Sequence, residues 1–78
     1  MNNLRGTMTK LQTALKMHGD YVYISTFQAF SKKTGKAVTK YVIAEKRKNR
    51  LVKVCETWRI EEAVRYLADR LNGGGGNA

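Results

Sequence analysis

A chain of 78 residues, 42% hydrophobic and 27% charged, holds one small domain with a single core near the lower limit of independent stability, and is too apolar for a disordered basic tail. Its one cysteine excludes an internal disulfide, and no stretch has the pattern of a signal peptide or a membrane-spanning helix; the expectation is a cytoplasmic protein with no membrane association. The formal net charge of +9 is concentrated between Ser31 and Lys53, where Lys32, Lys33, Lys36, Lys40, Lys46, Arg47, Lys48, Arg50 and Lys53 meet one acid, Glu45, for a formal +8.

In chain order, Met8, Leu11, Leu15 and His18 recur at helical spacing, with Leu4 one turn earlier and Ala14 beside the stripe. Thr9 and Gln12 have the form of a capping box and Gly19 suits a left-handed stop, which predicts a helix from about Lys10 to His18. Residues 1–8 either extend this helix or fray.

Tyr21 to Phe30 is rich in aromatic and β-branched residues and predicts a strand. The polar run Ser31 to Lys36, with Gly35 at a left-handed position, reads as a hairpin loop into a second strand from about Val38 to Lys46. Arg47-Lys48-Asn49 turns that strand into a third, Arg50 to Glu56, with Asn49 as the residue tolerating positive φ.

Ile60, Ala63, Val64, Leu67, Ala68 and Leu71 then fit an amphipathic helix without a gap. Thr57 is the expected N-cap, Glu61 and Glu62 suit the helix start, Arg70 its end, and Asn72-Gly73 stop it. The fold expected is α+β, in the order α-β-β-β-α: a three-stranded antiparallel meander over residues 1–72 with both helices on one face, followed by a glycine-rich flexible tail over 73–78.

Three-residue turns at both hairpins make residues of equal parity share a face. The even set then stacks Val22, Ile24, Val42, Ala44, Val52 and Val54, with Phe30, Val38 and Trp58 at one end and a Lys40–Glu56 ion pair across strands. This is the face expected beneath the helices, with Trp58 as a core anchor. The odd set, Tyr23, Phe27, Tyr41 and Ile43 with Ser25, Glu45 and Lys53, is expected to be at least partly open.

On this meander the basic residues form one group at each hairpin tip, joined by Lys40 and Lys53. An elongated track of cations suits successive phosphates, and Tyr23, Phe27 and Tyr41 beside it offer stacking or a partner-binding surface. The function expected is a small nucleic-acid-binding accessory or regulatory protein, such as one from a mobile element, with DNA favoured over RNA. The alternative is a protein-interaction module whose aromatic face dimerises or binds an acidic partner, with the lysines serving solubility. His18 reads as a helix-terminal residue and Cys55 as a packed thiol. No catalytic constellation, metal-ligand cluster or phosphate loop is present, so neither an enzyme nor a cofactor is expected.

The α-β-β-β-α order resembles that of double-stranded-RNA-binding domains, but the chain has no proline for their Gly-Pro-x-His loop. Its last helix opens Arg59-Ile60-Glu61-Glu62-Ala63 rather than with their lysine run, so no RNA-contacting residue follows from the likeness. The segment from Tyr21 to Leu71 is also similar to the N-terminal DNA-binding domains of tyrosine-family integrases. That resemblance implies a three-stranded sheet lying in the major groove, backed by one helix.

Overall fold

The computed structural model describes residues 3–73 and gives helix α1 (Leu4–Met17), strands β1 (Val22–Ser31), β2 (Lys36–Arg47) and β3 (Arg50–Thr57), and helix α2 (Ile60–Leu71). The strands form one antiparallel sheet in the order β1-β2-β3. The expected α+β class and element order are therefore present. The tail read over 73–78 lies outside the described residues from 74 onward, as do residues 1 and 2.

Helix α1 starts well before Lys10. Asn3 caps it, its side chain accepting from the Gly6 amide at 3.0 Å, so Leu4 to Thr9 are helical rather than frayed, and Thr9 lies inside the helix. Gln12, assigned to a capping box, instead donates to the Val22 carbonyl at 2.9 Å and ties α1 to the start of β1. At the other end Gly19, with φ +83°, donates to the Lys16 carbonyl while Asp20 donates to that of Leu15. This left-handed stop satisfies two orphan helix carbonyls and delivers the chain into β1. His18 is the C-cap and is exposed.

The turns differ from the three-residue loops read from sequence. Ser31 pairs with Lys36 around a four-residue loop, and Arg47 pairs with Arg50 around a two-residue turn in which Lys48, not Asn49, takes positive φ. An even loop length reverses the facing of the next strand. In β2 the odd residues therefore share a face with the even residues of β1: Ile24 lies opposite Ile43, and Val22 opposite Glu45. The second even turn reverses the facing again, so Val52 in β3 faces inward as expected. Val54 is then an unmatched residue between the pairs Ala44–Lys53 and Ile43–Cys55. This bulge returns Cys55 and Thr57 to the inner face.

The core that results is Met8 and Leu15 of α1, Val22, Tyr41 and Ile43 of the sheet, and Ala63 and Leu67 of α2; Leu11, Ile24, Val54, Cys55, Ile60, Val64, Tyr66 and Leu71 pack around it. Both helices lie on this face. Tyr41 is thus buried instead of forming part of an open aromatic surface, while Val38, Val42 and Ala44 occupy the uncovered face. Trp58 follows β3 outward and is 54% exposed rather than a core anchor. Phe30 does point to the helical side, yet is 67% exposed because β1 and β2 run past the helices at that end.

Thr57, the expected cap of α2, sits two residues further out: Arg59 is the N-cap and contributes no side-chain bond. The buried Thr57 hydroxyl accepts from the Arg59 amide at 3.1 Å and donates to Glu62 at 2.7 Å. The opposite end of the fold is held by Arg70. Its guanidinium donates to both Asp20 oxygens at 2.6 Å, to Glu45 at 2.7 Å and to the Tyr66 hydroxyl at 2.9 Å. One side chain near the end of α2 thereby fastens the α1–β1 corner and strand β2 together. The hydrogen bonds from Arg70 hold the Asp20 carboxyl below its ordinary range against the opposing effect of burial; those from Arg70 and then Arg47 do the same for Glu45.

Candidate nucleic-acid interface

The register decides which cations share a surface. Because the odd residues of β2 point into the core, its even residues point out of the uncovered face, and Lys36, Lys40 and Lys46 are all even. Lys53 joins them from β3, since Lys40 and Lys53 both reach Glu56, at 2.8 and 2.5 Å. Four lysines against the single acid Glu56 give the strands of this face a formal +3. Glu56 answers to both cations: hydrogen bonds from Lys40 and then Lys53 lower its pKa to about 2.

The hairpin tips extend the charge beyond the face. Lys32 and Lys33 lie in the loop between β1 and β2, and Lys48 in the turn between β2 and β3, next to Arg50. Among the described residues Lys32, Lys33, Lys36, Lys46, Lys48 and Arg50 make no ion pair. Arg47 differs in pairing with Glu45; it and its ladder partner Arg50 lie on the inner side. Glu45, the one acid in the basic segment, is itself engaged by Arg70 and so opposes little of the surrounding charge. Of the nine bases expected to form the track, six are unpaired, two share Glu56 and one belongs to the structural network.

The face is also shaped by the ladder. Strand β3 ends where Tyr41 pairs with Thr57, whereas β1 and β2 continue through the pairs Phe27–Lys40, Gln28–Thr39, Ala29–Val38, Phe30–Ala37 and Ser31–Lys36. These five pairs form a two-stranded arm about 15 Å long at roughly 3.3 Å per residue. No residue from Phe27 to Val38 is buried, so the arm stands clear of the core on both faces. Gly35, with φ +68°, closes its tip, its amide donating to the Ser31 carbonyl at 2.8 Å. Lys32, Lys33 and Lys36 are thereby carried away from the body of the domain.

At the base of the arm an aromatic group occupies the uncovered face. The Lys40 ammonium lies 5.8 Å from the centre of the Phe27 ring and 5.7 Å from that of Trp58. Tyr23, two residues before Ser25 on the outward side of β1, is partly exposed on the same face. The aromatic surface expected from sequence thus consists of Tyr23 and Phe27, without Tyr41 and with Trp58 added. Trp58 was recoverable from its continuation of β3: it falls opposite Lys40 in the register of Tyr41–Thr57, so the two residues share a face whichever face that is.

Cys55 is half-buried against the core, and burial, followed by the nearby Glu62 carboxylate, raises its thiol pKa and keeps it protonated. Among the described residues no group of His, Cys, Asp or Glu could hold a metal ion, and no helix is long and apolar enough to cross a membrane. No family model, curated protein or solved structure matches the chain.

Proposed function

We propose that this chain binds nucleic acid through the uncovered face of its sheet, with phosphates taken by lysines of that face and by the two hairpin tips. The observation that carries the reading is the register: it gathers Lys36, Lys40, Lys46 and Lys53 onto one face with a single acid between them. Lys36 and Lys46 are ten residues apart on one strand, roughly 33 Å at about 3.3 Å per residue. That spacing fits an extended polyanion and is far too wide for a single small anion. An extended polyanion, DNA in the first instance, releases counterions at each phosphate it gives to a lysine, which supplies affinity without base-specific contacts.

The rival reading, a homodimer or an acidic protein on the same face, draws on the exposed Phe27, Val38 and Trp58. A face-to-face homodimer would oppose four lysines to four, and like charges across an interface cost affinity.

The test is binding of a labelled 20-base-pair duplex and a single strand of the same length across a salt series. About five phosphate contacts on the duplex give a log–log slope near −4.5, at about −0.9 per contact. Reversing Lys46 and Lys48 to Glu should abolish binding, whereas Lys10 and Lys16 to Glu, the same charge change on α1, should reduce it far less. Absence of binding at 50 mM salt, or equal sensitivity to the two double variants, overturns the reading.

A further inference from the structure

We infer that Phe27 and Trp58 form a stacking platform for unpaired bases, so that the nucleic acid taken by this face is single-stranded. The inference rests on the reading of the face as a nucleic-acid surface and narrows the class of its ligand. Both rings leave 54% of their surface to solvent, on the side of the sheet that no helix covers. A ring that packs against the core repays its size through burial; these two do not, and are left available to a flat apolar partner.

Lys40 fixes their arrangement. Its ammonium is held by Glu56 and lies 5.8 Å from one ring centre and 5.7 Å from the other, so the two centres are no more than the sum, 11.5 Å, apart. Two aromatic faces within that distance are in reach of nearby nucleotides of one strand. Lys36 lies further out along the arm, Lys53 behind the rings and Lys46 beyond it, a line of cations that can follow the backbone while bases turn toward the sheet.

A duplex cannot use the rings in this way. Its base faces are stacked inside the helix and only their edges reach the groove, whereas an unpaired base presents a π-face that any aromatic side chain can cover. Stacking combined with phosphate contacts predicts broad sequence tolerance, and the platform does not distinguish DNA from RNA.

Trp58 is the only tryptophan in the chain, so its emission reports directly on the site. The experiment titrates the full chain with four probes of equal phosphate number: oligo(dT), oligo(rU), a duplex and an abasic strand. Base stacking predicts quenching of Trp58 by both oligonucleotides and not by the abasic strand. It also predicts roughly fivefold or greater tighter binding per stacked ring. Phe27→Ala should bring oligo(dT) affinity toward that of the abasic strand and leave the salt slope unchanged, because no charge is altered. Trp58→Phe should keep the affinity while removing the signal.

Equal binding of oligo(dT) and the abasic strand, or a neutral Phe27→Ala, overturns the platform while leaving phosphate binding intact. Failure of every probe to bind at 50 mM salt overturns the underlying reading itself. A dimer in sedimentation that is lost in Phe27→Ala would assign the rings to a second copy of the chain and also overturns the platform. Both substitutions are at exposed positions, and a thermal melt of each variant separates lost folding from lost binding.

Discussion

Glu56 is the single acid on a face of four lysines, and its removal should strengthen binding. In Glu56→Gln the residue keeps its size, but Lys40 and Lys53, now tied to the carboxylate at 2.8 and 2.5 Å, lose their internal partner. The formal charge of the face rises from +3 to +4. If one released lysine gains one phosphate, the log–log salt slope steepens by about 0.7 on a single strand or 0.9 on a duplex. Extrapolated from 1 M to 50 mM salt, a range of 1.3 decades, this is a gain of roughly eightfold to fifteenfold at the lower salt. If both lysines engage, the slope change doubles. Stability should change little, since exposed ion pairs contribute weakly. The assay is fluorescence anisotropy of a labelled strand at five salt concentrations, run for the parent chain and for Glu56→Gln. An unchanged slope and affinity, in a protein that binds, would show that neither lysine touches phosphate, and the uncovered face would cease to be the binding surface.

Two predictions concern the fold that presents this face. Arg70→Met removes the donor to Asp20, Glu45 and Tyr66 and should cost about 2 kcal/mol, discounted from the 3–5 kcal/mol of a fully buried pair because the site is partly hydrated; in a domain of this size that lowers Tm by roughly 8–16 °C in a thermal melt. Because Arg70 depresses both carboxyl pKa values, its contribution is fully present above their ordinary range and is lost as pH falls through the depressed values. Stability of Arg70→Met, measured by urea unfolding at pH 7 and pH 3, should consequently fall less across that interval than stability of the parent chain. Ile43→Ala, at a fully buried position, should cost about 3 kcal/mol, whereas Val42→Thr on the uncovered face should cost under about 1 kcal/mol; the reverse order would mean that β2 faces the other way.

The order of elements was legible because each signal is local. Ile60 to Leu71 carries an unbroken helical stripe, and the β-branched run after Gly19 admits little other than a strand. Facing is a different kind of information, since it passes from strand to strand through the count of residues in each turn. Sequence marks Gly35 as a turn residue but does not say whether Ser31 pairs with Lys36 or with Gly35, and that choice of partner separates a four-residue loop from a three-residue one. The consequence fell on β2 alone: two even turns cancel at Val52, and Val22 and Ile24 precede both.

Alternation also gave β2 little to arbitrate with. Val42 and Ala44 are as apolar as Tyr41 and Ile43, and only packing against Leu15, Ala63 and Leu67 decides between them. The site was legible in part for the same reason. The basic residues are visible by composition and the Lys40–Glu56 pair was expected across strands, but that Lys53 also reaches Glu56, and that Phe27 joins Trp58 beside Lys40, depends on the even turns and the bulge at Val54, which no residue type announces.

The arm formed by the last five pairs of β1 and β2 rests only on its own ladder, with nothing of the core beneath it. Its length is therefore a free parameter of this architecture. Adding or removing two residues in each strand would move the tip by about 7 Å and leave every remaining side chain on its present face, with the packing of Leu15, Ile43 and Leu67 untouched. A one-residue change in a single strand would instead force a bulge or turn part of the arm over. How far this molecule reaches can thus be adjusted by inheritance in steps, while its ability to fold is set elsewhere in the chain.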